Sequence, residues 1–208
     1  MTLVRETFAV GPLGCNCSIL IDQAKREALV VDPGGDGDKI LARLKHHGVT
    51  TKAILITHAH IDHLGAIPEV QHATGAPVLM HEDDRDLYEN VQMQAAMLRM
   101  VAPKLPQFDA KLADGFTIGE AGTIHTPGHT KGSVCFHFGG QKLLITGDTL
   151  FAGGIGRTDL WGGSFEQIMK SIKERLLTLD GETIVVPGHG PETSIADELR
   201  FNPFLSDE

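Results

Sequence analysis

The stretch Ala53-Ile54-Leu55-Ile56-Thr57-His58-Ala59-His60-Ile61-Asp62-His63 runs from four apolar residues straight into three imidazoles and a carboxylate. The apolar run has the length of a buried strand. The polar run after it has no use in a core, because neutral His and ionised Asp need partners wherever they are buried. A metal ion supplies one. In an extended chain, residues two apart project to the same side, so His58 and His60 grip one ion. The turn beyond them aims Asp62 and His63 elsewhere, and two directions of grip predict two metals. A strand end that opens into a helix is also where α/β folds place their active sites.

The chain has 208 residues, 41% hydrophobic and 22% charged. Those values predict one domain over 1–208 with a substantial core. No N-terminal stretch resembles a signal peptide, and no apolar run approaches the roughly 20 residues of a membrane span. A cytoplasmic location with no membrane partner is therefore expected. Cys15, Cys17 and Cys135 are too few for a disulfide framework. Cys15 and Cys17 are read as strand packing, since the second pair of a zinc site is missing. Lys and Arg number 18 against 27 Asp and Glu, a net charge of −9. Without a basic stripe to neutralise phosphates, nucleic acid is excluded as the main partner. A small anionic substrate stays compatible, because bound cations reverse the local field.

Apolar runs bounded by turn residues predict strands at 6–10, 18–22, 28–32, 53–57, 77–80, 123–126, 133–138, 142–146 and 183–187. A helix is predicted at 39–47, with Ile40, Leu41 and Leu44 on one face, Asp36 or Asp38 as cap and Gly48 as stop. Ser164 and Gln167 form a capping box for a helix that the Ile168, Ile172, Leu176 spacing carries to about 177. A third helix is predicted at 83–100. Early strands come grouped and later ones alternate with helices, which predicts stacked sheets with helices outside. Met93, Met97 and Met100 share one face of the third helix and read first as core packing, with an adaptable wall beside a substrate groove as the alternative. The stretch 101–113, with Pro103 and Pro106, reads as a surface connection. His46, His47 and His72 read as surface residues.

Three further donors stand at strand ends behind a glycine: His129 after Thr126-Pro127-Gly128, Asp148 after Gly147, and His189 after Pro187-Gly188. With these in place the chain resembles the metallo-β-lactamase superfamily. Its HxHxDH signature is matched by His58, His60, Asp62 and His63, and its later ligands by His129, Asp148 and His189. The resemblance implies a mixed α/β fold, the four-layer αββα sandwich, with metals at one edge of two sheets. It places His58, His60 and His129 on one metal, Asp62, His63 and His189 on a second, and Asp148 across both. Donors that are all N or O favour two Zn(II), with Fe or Mn as alternatives. Two cations sharing a water produce hydroxide near neutral pH and polarise a carbonyl. Asp148 as the bridge and Asp62 as the group orienting that hydroxide are the expected catalytic carboxylates.

Gly147-Asp148-Thr149-Leu150-Phe151 and Gly153-Gly154-Ile155-Gly156-Arg157-Thr158-Asp159 resemble the glyoxalase II branch. That branch, hydroxyacylglutathione hydrolase, cleaves glutathione thioesters such as S-lactoylglutathione to D-lactate and glutathione. His189 is followed by 208 minus 189, or 19, residues, so the resemblance is to the short, type II proteins without the C-terminal helical domain that holds glutathione. Lys131, and more weakly Arg157, are the candidates to meet substrate in its place. Arg157 and Asp159 read first as an ion pair bracing their loop, and His125 as a buried residue or a support for His129. The alternatives are the persulfide dioxygenase branch, which shares the Gly156-Arg157-Thr158-Asp159 stretch and holds one iron on His58, His129 and Asp148, or another hydrolase such as a lactonase.

Overall fold

A computed structural model describes residues 3–109 and 111–205. The chain divides into two compact units, the first made of the residues up to 80 with 85–110, the second of 81–84 with those from 111 onward.

The first unit holds a five-stranded sheet of β1 (Leu3–Val10), β2 (Cys15–Asp22), β3 (Glu27–Val31), β4 (Thr50–Leu55) and β5 (Val78–Leu79), in that order. β1, β2 and β3 pair antiparallel, while β4 pairs parallel with β3 and β5. Parallel strands are covered on both faces, and Ala53, Ile54 and Leu55 are fully buried. The crossover from β3 to β4 carries α1 (Gly37–His47), which stops at Gly48 with φ 60, its N–H bonding the carbonyls of Leu44 and Lys45. Asp36 stands at the N-cap, yet its carboxylate accepts from Gly11 N instead of from α1.

After β4 come α2 (Ile61–Leu64), α3 (Ile67–Thr74), α4 (Arg85–Glu89) and α5 (Val91–Leu98). The single helix expected at 83–100 is thus broken. It divides at Asn90, whose side-chain amide and backbone N–H both donate to the Asp86 carbonyl, at 2.8 and 3.1 Å. The break turns Val91 and Ala95 inward and leaves Met93 at 53% and Met97 at 75% exposure. Core packing is therefore wrong for those two methionines and right for Met100, which lies against the first unit's core.

In the second unit, β6 (Thr117–Ile118), β7 (Ala121–His125), β8 (Val134–Phe138) and β9 (Leu143–Gly147) form an antiparallel run. A hairpin follows, β10 (Leu150–Phe151) with β11 (Gly154–Ile155), then α6 (Phe165–Ser171), which continues as one π turn over Ile172–Leu176. β12 (Ile184–Pro187) returns parallel to β9, β13 (Thr193–Ser194) flanks it, and α7 (Ile195–Phe201) follows. The sheet order is β13-β12-β9-β8-β7-β6. Ser164 caps α6 as its sequence predicts, accepting from Gln167 N at 3.3 Å. Ile168, Ile172 and Leu176 are buried in one cluster with Cys135, Leu144 and Val185.

All nine predicted strands are present, with ends shifted by no more than three residues. The shift that matters is at β4, which stops at Leu55, so Thr57 already lies outside the ladder. Among the described residues no helix is long and apolar enough to cross a membrane.

Candidate metal centre

In the first unit the donors sit where β4 ends and α2 begins. Asp32, 1% exposed, follows β3 with φ 50 and faces them. It accepts from Thr57 N at 2.8 Å, from Thr57 Oγ1 at 2.6 Å and from His63 Nδ1 at 3.0 Å. An ionised carboxylate only accepts, so His63 carries its proton on Nδ1 and keeps Nε2 for a ligand. His63 Nε2 stands 3.8 Å from Asp62 Oδ2. That is too long for a hydrogen bond, but two donors each about 2.1 Å from one ion stand roughly 3 to 4 Å apart. The His58 ring lies edge-on to His60 at 4.8 Å and tilted against His63 at 4.1 Å. Beneath this loop runs Gly34, where an added Cβ would fall 1.8 Å from the Asp62 carbonyl oxygen.

Cys15 and Cys17 pack as the sequence suggests, both buried and free. Cys15 Sγ also lies 3.5 Å from His63 Nδ1. Burial pushes its pKa up to about 11, so at neutral pH it is a thiol.

In the second unit His129, Asp148 and His189 lie together. His129 Nδ1 donates to the Arg157 carbonyl at 2.8 Å, which again leaves Nε2 for a ligand. Asp148 Oδ2 stands 3.7 Å from His129 Nε2 and 3.9 Å from His189 Nε2, the spacing of donors that share ions. Main-chain bonds tie the loops, Gly188 N donating to the Gly147 carbonyl at 2.7 Å. At Gly156 an added Cβ would fall 1.8 Å from the Asp148 carbonyl oxygen, so the strand after Asp148 returns at a distance only glycine allows. From the other side, buried Asp84 accepts from Thr130 Oγ1 at 2.8 Å and from Gly132 N at 2.7 Å, clasping the His129 loop. Each unit thus presents nitrogen and oxygen donors that are oriented from behind and spaced for metal ions, and the residues fit the expected group.

Other expected residues find definite places. Arg157 and Asp159 form the bracing ion pair, with two N–O distances of 2.8 Å; the arginine holds the Asp159 carboxyl down to about 2. His125 Nε2 donates to the Lys131 carbonyl at 2.9 Å, and Lys131 borders a cleft of about 470 Å³ with Pro127, Ser164 and Gln167. His46 and His72 are exposed, whereas His47 bonds Glu6 at 2.7 Å and is not a bare surface residue. A second donor cluster, His81, Asp83 and His125, has ligand atoms within 4.8 Å. Its two rings are stacked at 4.1 Å and 9°, so their in-plane lone pairs run parallel and do not meet at one point.

Sequence reasoning missed Asp32, Asp84 and Gly34. The Asp32-Pro33-Gly34-Gly35 turn at the end of β3 was the available signal, since β3 is the parallel neighbour of β4. Asp84 carries no such mark.

Residues 10–189 match the metallo-beta-lactamase superfamily. A probable metallo-hydrolase of Bacillus subtilis (strain 168) is 42% identical over 207 residues, 95% of each chain. A Haemophilus influenzae protein named hydroxyacylglutathione hydrolase is 36% identical over 212 residues, 97% of each chain. Among solved structures, TTHA1623 in a di-iron-bound form aligns with a TM-score of 0.89 at 36% identity, over 99% of this chain and 100% of that one.

Proposed function

The chain belongs to the metallo-beta-lactamase superfamily as a hydrolase-like, metal-binding protein, and from that premise we propose that it hydrolyses small thioesters of glutathione, S-lactoylglutathione first among them. In this reading His58, His60 and His129 hold one ion, Asp62, His63 and His189 a second, and Asp148 serves both. The ions are zinc by the chemistry of the donors, with iron, as in the di-iron neighbour, or manganese as the alternatives.

The observation that carries this reading is the loop after Asp148. Its sequence is the stretch similar to glyoxalase II, with Gly156 to Asp159 shared by the dioxygenase branch, and it is joined to the donors directly: the Arg157 carbonyl orients His129, and Gly156 passes against Asp148. The relative named hydroxyacylglutathione hydrolase, matched over nearly its whole length, supports the same substrate class.

Two cations held by these residues would supply a hydroxide nucleophile at neutral pH and polarise a carbonyl. The protein's own groups do the rest. Asp62 orients the attacking group. Asp32 and the Arg157 carbonyl keep the two imidazoles in one tautomer through the reaction. Lys131, beside its cleft, meets a carboxylate of the glutathione moiety. The thioester C–S bond breaks, water adds its oxygen to the acyl carbon, and the thiolate leaves and takes a proton, giving a hydroxy acid and glutathione.

Purified protein is expected to release glutathione from S-lactoylglutathione and to lose that activity on chelation. One tightly held iron per chain, oxygen uptake with glutathione persulfide and no thioester turnover would replace this reading with the dioxygenase one.

A further inference from the structure

Ile56 N still bonds the Leu79 carbonyl at 3.0 Å, but the chain then leaves the sheet, and buried peptide groups beyond that point need partners from elsewhere. The Ala59 carbonyl and the Ile61 N–H bracket His60, and one side chain reaches both. Gln94 Nε2 donates to the Ala59 carbonyl at 3.0 Å, and Gln94 Oε1 accepts from Ile61 N at 3.0 Å. The second Nε2 proton goes to the Leu87 carbonyl of α4 at 2.9 Å. A primary amide places a donor beside an acceptor, the pattern a neighbouring strand would show; glutamate at neutral pH only accepts, and leucine does neither. Gln94 therefore acts as a one-residue strand for a loop that has lost its sheet. It is half-buried on a helix whose Met93 and Met97 face outward.

We propose that Gln94 is a positioning residue of the metal centre: by pinning the peptide groups on either side of His60, it holds His60, and with it His58 and Asp62, in the direction that an ion requires. The inference rests on the reading of 58–63 as a metal loop. Gln94 is not one of the seven donors, and its bonds go to main-chain groups. Its effect passes through the backbone, so it belongs with the outer partners whose loss typically weakens metal binding 10- to 100-fold.

The competing account is that Gln94 only staples α5 to the body of the protein, and metal readouts separate the two. Parent protein and the Gln94→Leu and Gln94→Glu variants are compared by zinc affinity in chelator competition and by the visible spectrum of the cobalt(II)-loaded protein. The expected result is zinc binding weakened tenfold or more, with an altered cobalt spectrum, in both variants. Glutamate keeps the length of the side chain and its acceptor but loses both donated bonds, and it decides the matter if the leucine variant does not fold. Unchanged zinc affinity and an unchanged cobalt spectrum overturn the inference, even if thermal stability falls. A parent protein that binds no metal overturns the metal-loop reading itself and the inference with it, a result distinct from metal-binding variants that match the parent.

Discussion

His63 and His129 each present Nε2 while a hydrogen bond at Nδ1 fixes the ring, yet the first leans on the buried Asp32 carboxylate and the second on the Arg157 main-chain carbonyl. The difference decides how each can fail. Asp32 gathers three donors on one charged group that is almost fully buried, so one substitution strips all three at once. The Arg157 carbonyl survives any change of its side chain, and only a displaced backbone can remove it. The His63 ring is vulnerable through a side chain, the His129 ring through its neighbouring backbone.

Asp32→Ala should have the largest effect. It leaves two Thr57 donors and the His63 N–H without their acceptor in a buried place, a loss of about 3 kcal/mol in denaturant unfolding. Zinc affinity should fall 10- to 100-fold in a metal titration; a variant with parental affinity would show that His63 needs no carboxylate behind it. Gly156→Ala should come next, because its methyl must displace the Asp148 carbonyl. Overpacking of that kind costs about 1–3 kcal/mol, and metal content measured on the purified variant should drop with it. Arg157→Ala should do little to either property. It removes an exposed, solvent-screened ion pair and keeps the carbonyl on His129, so loss of metal from this variant would break the contrast. A raised KM with unchanged metal content would instead mark the guanidinium as a substrate contact.

The smallest expected effect lies away from the donors, at Glu6. Hydrogen bonds from His47 and then Arg43 hold its carboxyl below the ordinary value of 4.5. A depressed folded pKa stabilises above the unfolded value and loses that contribution as pH falls through the folded one. Thermal unfolding of Glu6→Gln should therefore fall further below the parent at pH 6 than at pH 3. Equal differences at both pH values would show the bonds to be unimportant.

The strands and the seven candidate donors stand out in the sequence because each has a local signature: an apolar run with a residue of metal-ligating type at its end, behind a glycine at His129, Asp148 and His189. What supports the donors does not. Asp84 meets Thr130 46 residues away, and Gln94 meets Ile61 33 residues away; nothing in the surrounding sequence distinguishes such polar residues from solvated ones. The third helix shows the same limit. Its methionine spacing looked like a core face, but the helix divides at Asn90, and Met93 and Met97 face outward while Met100 packs inward. The capping signature Ser194-x-x-Asp197 before α7 was there to be used, since Ser194 Oγ accepts from Asp197 N at 3.1 Å.

The central claim is that the seven donors hold metal ions which drive thioester hydrolysis. Zinc titrated into metal-free protein, with S-lactoylglutathione hydrolysis followed at each addition, tests it most directly. Activity that rises to a plateau at two ions per chain is the predicted result; saturation at one ion per chain with no thioester turnover would contradict it.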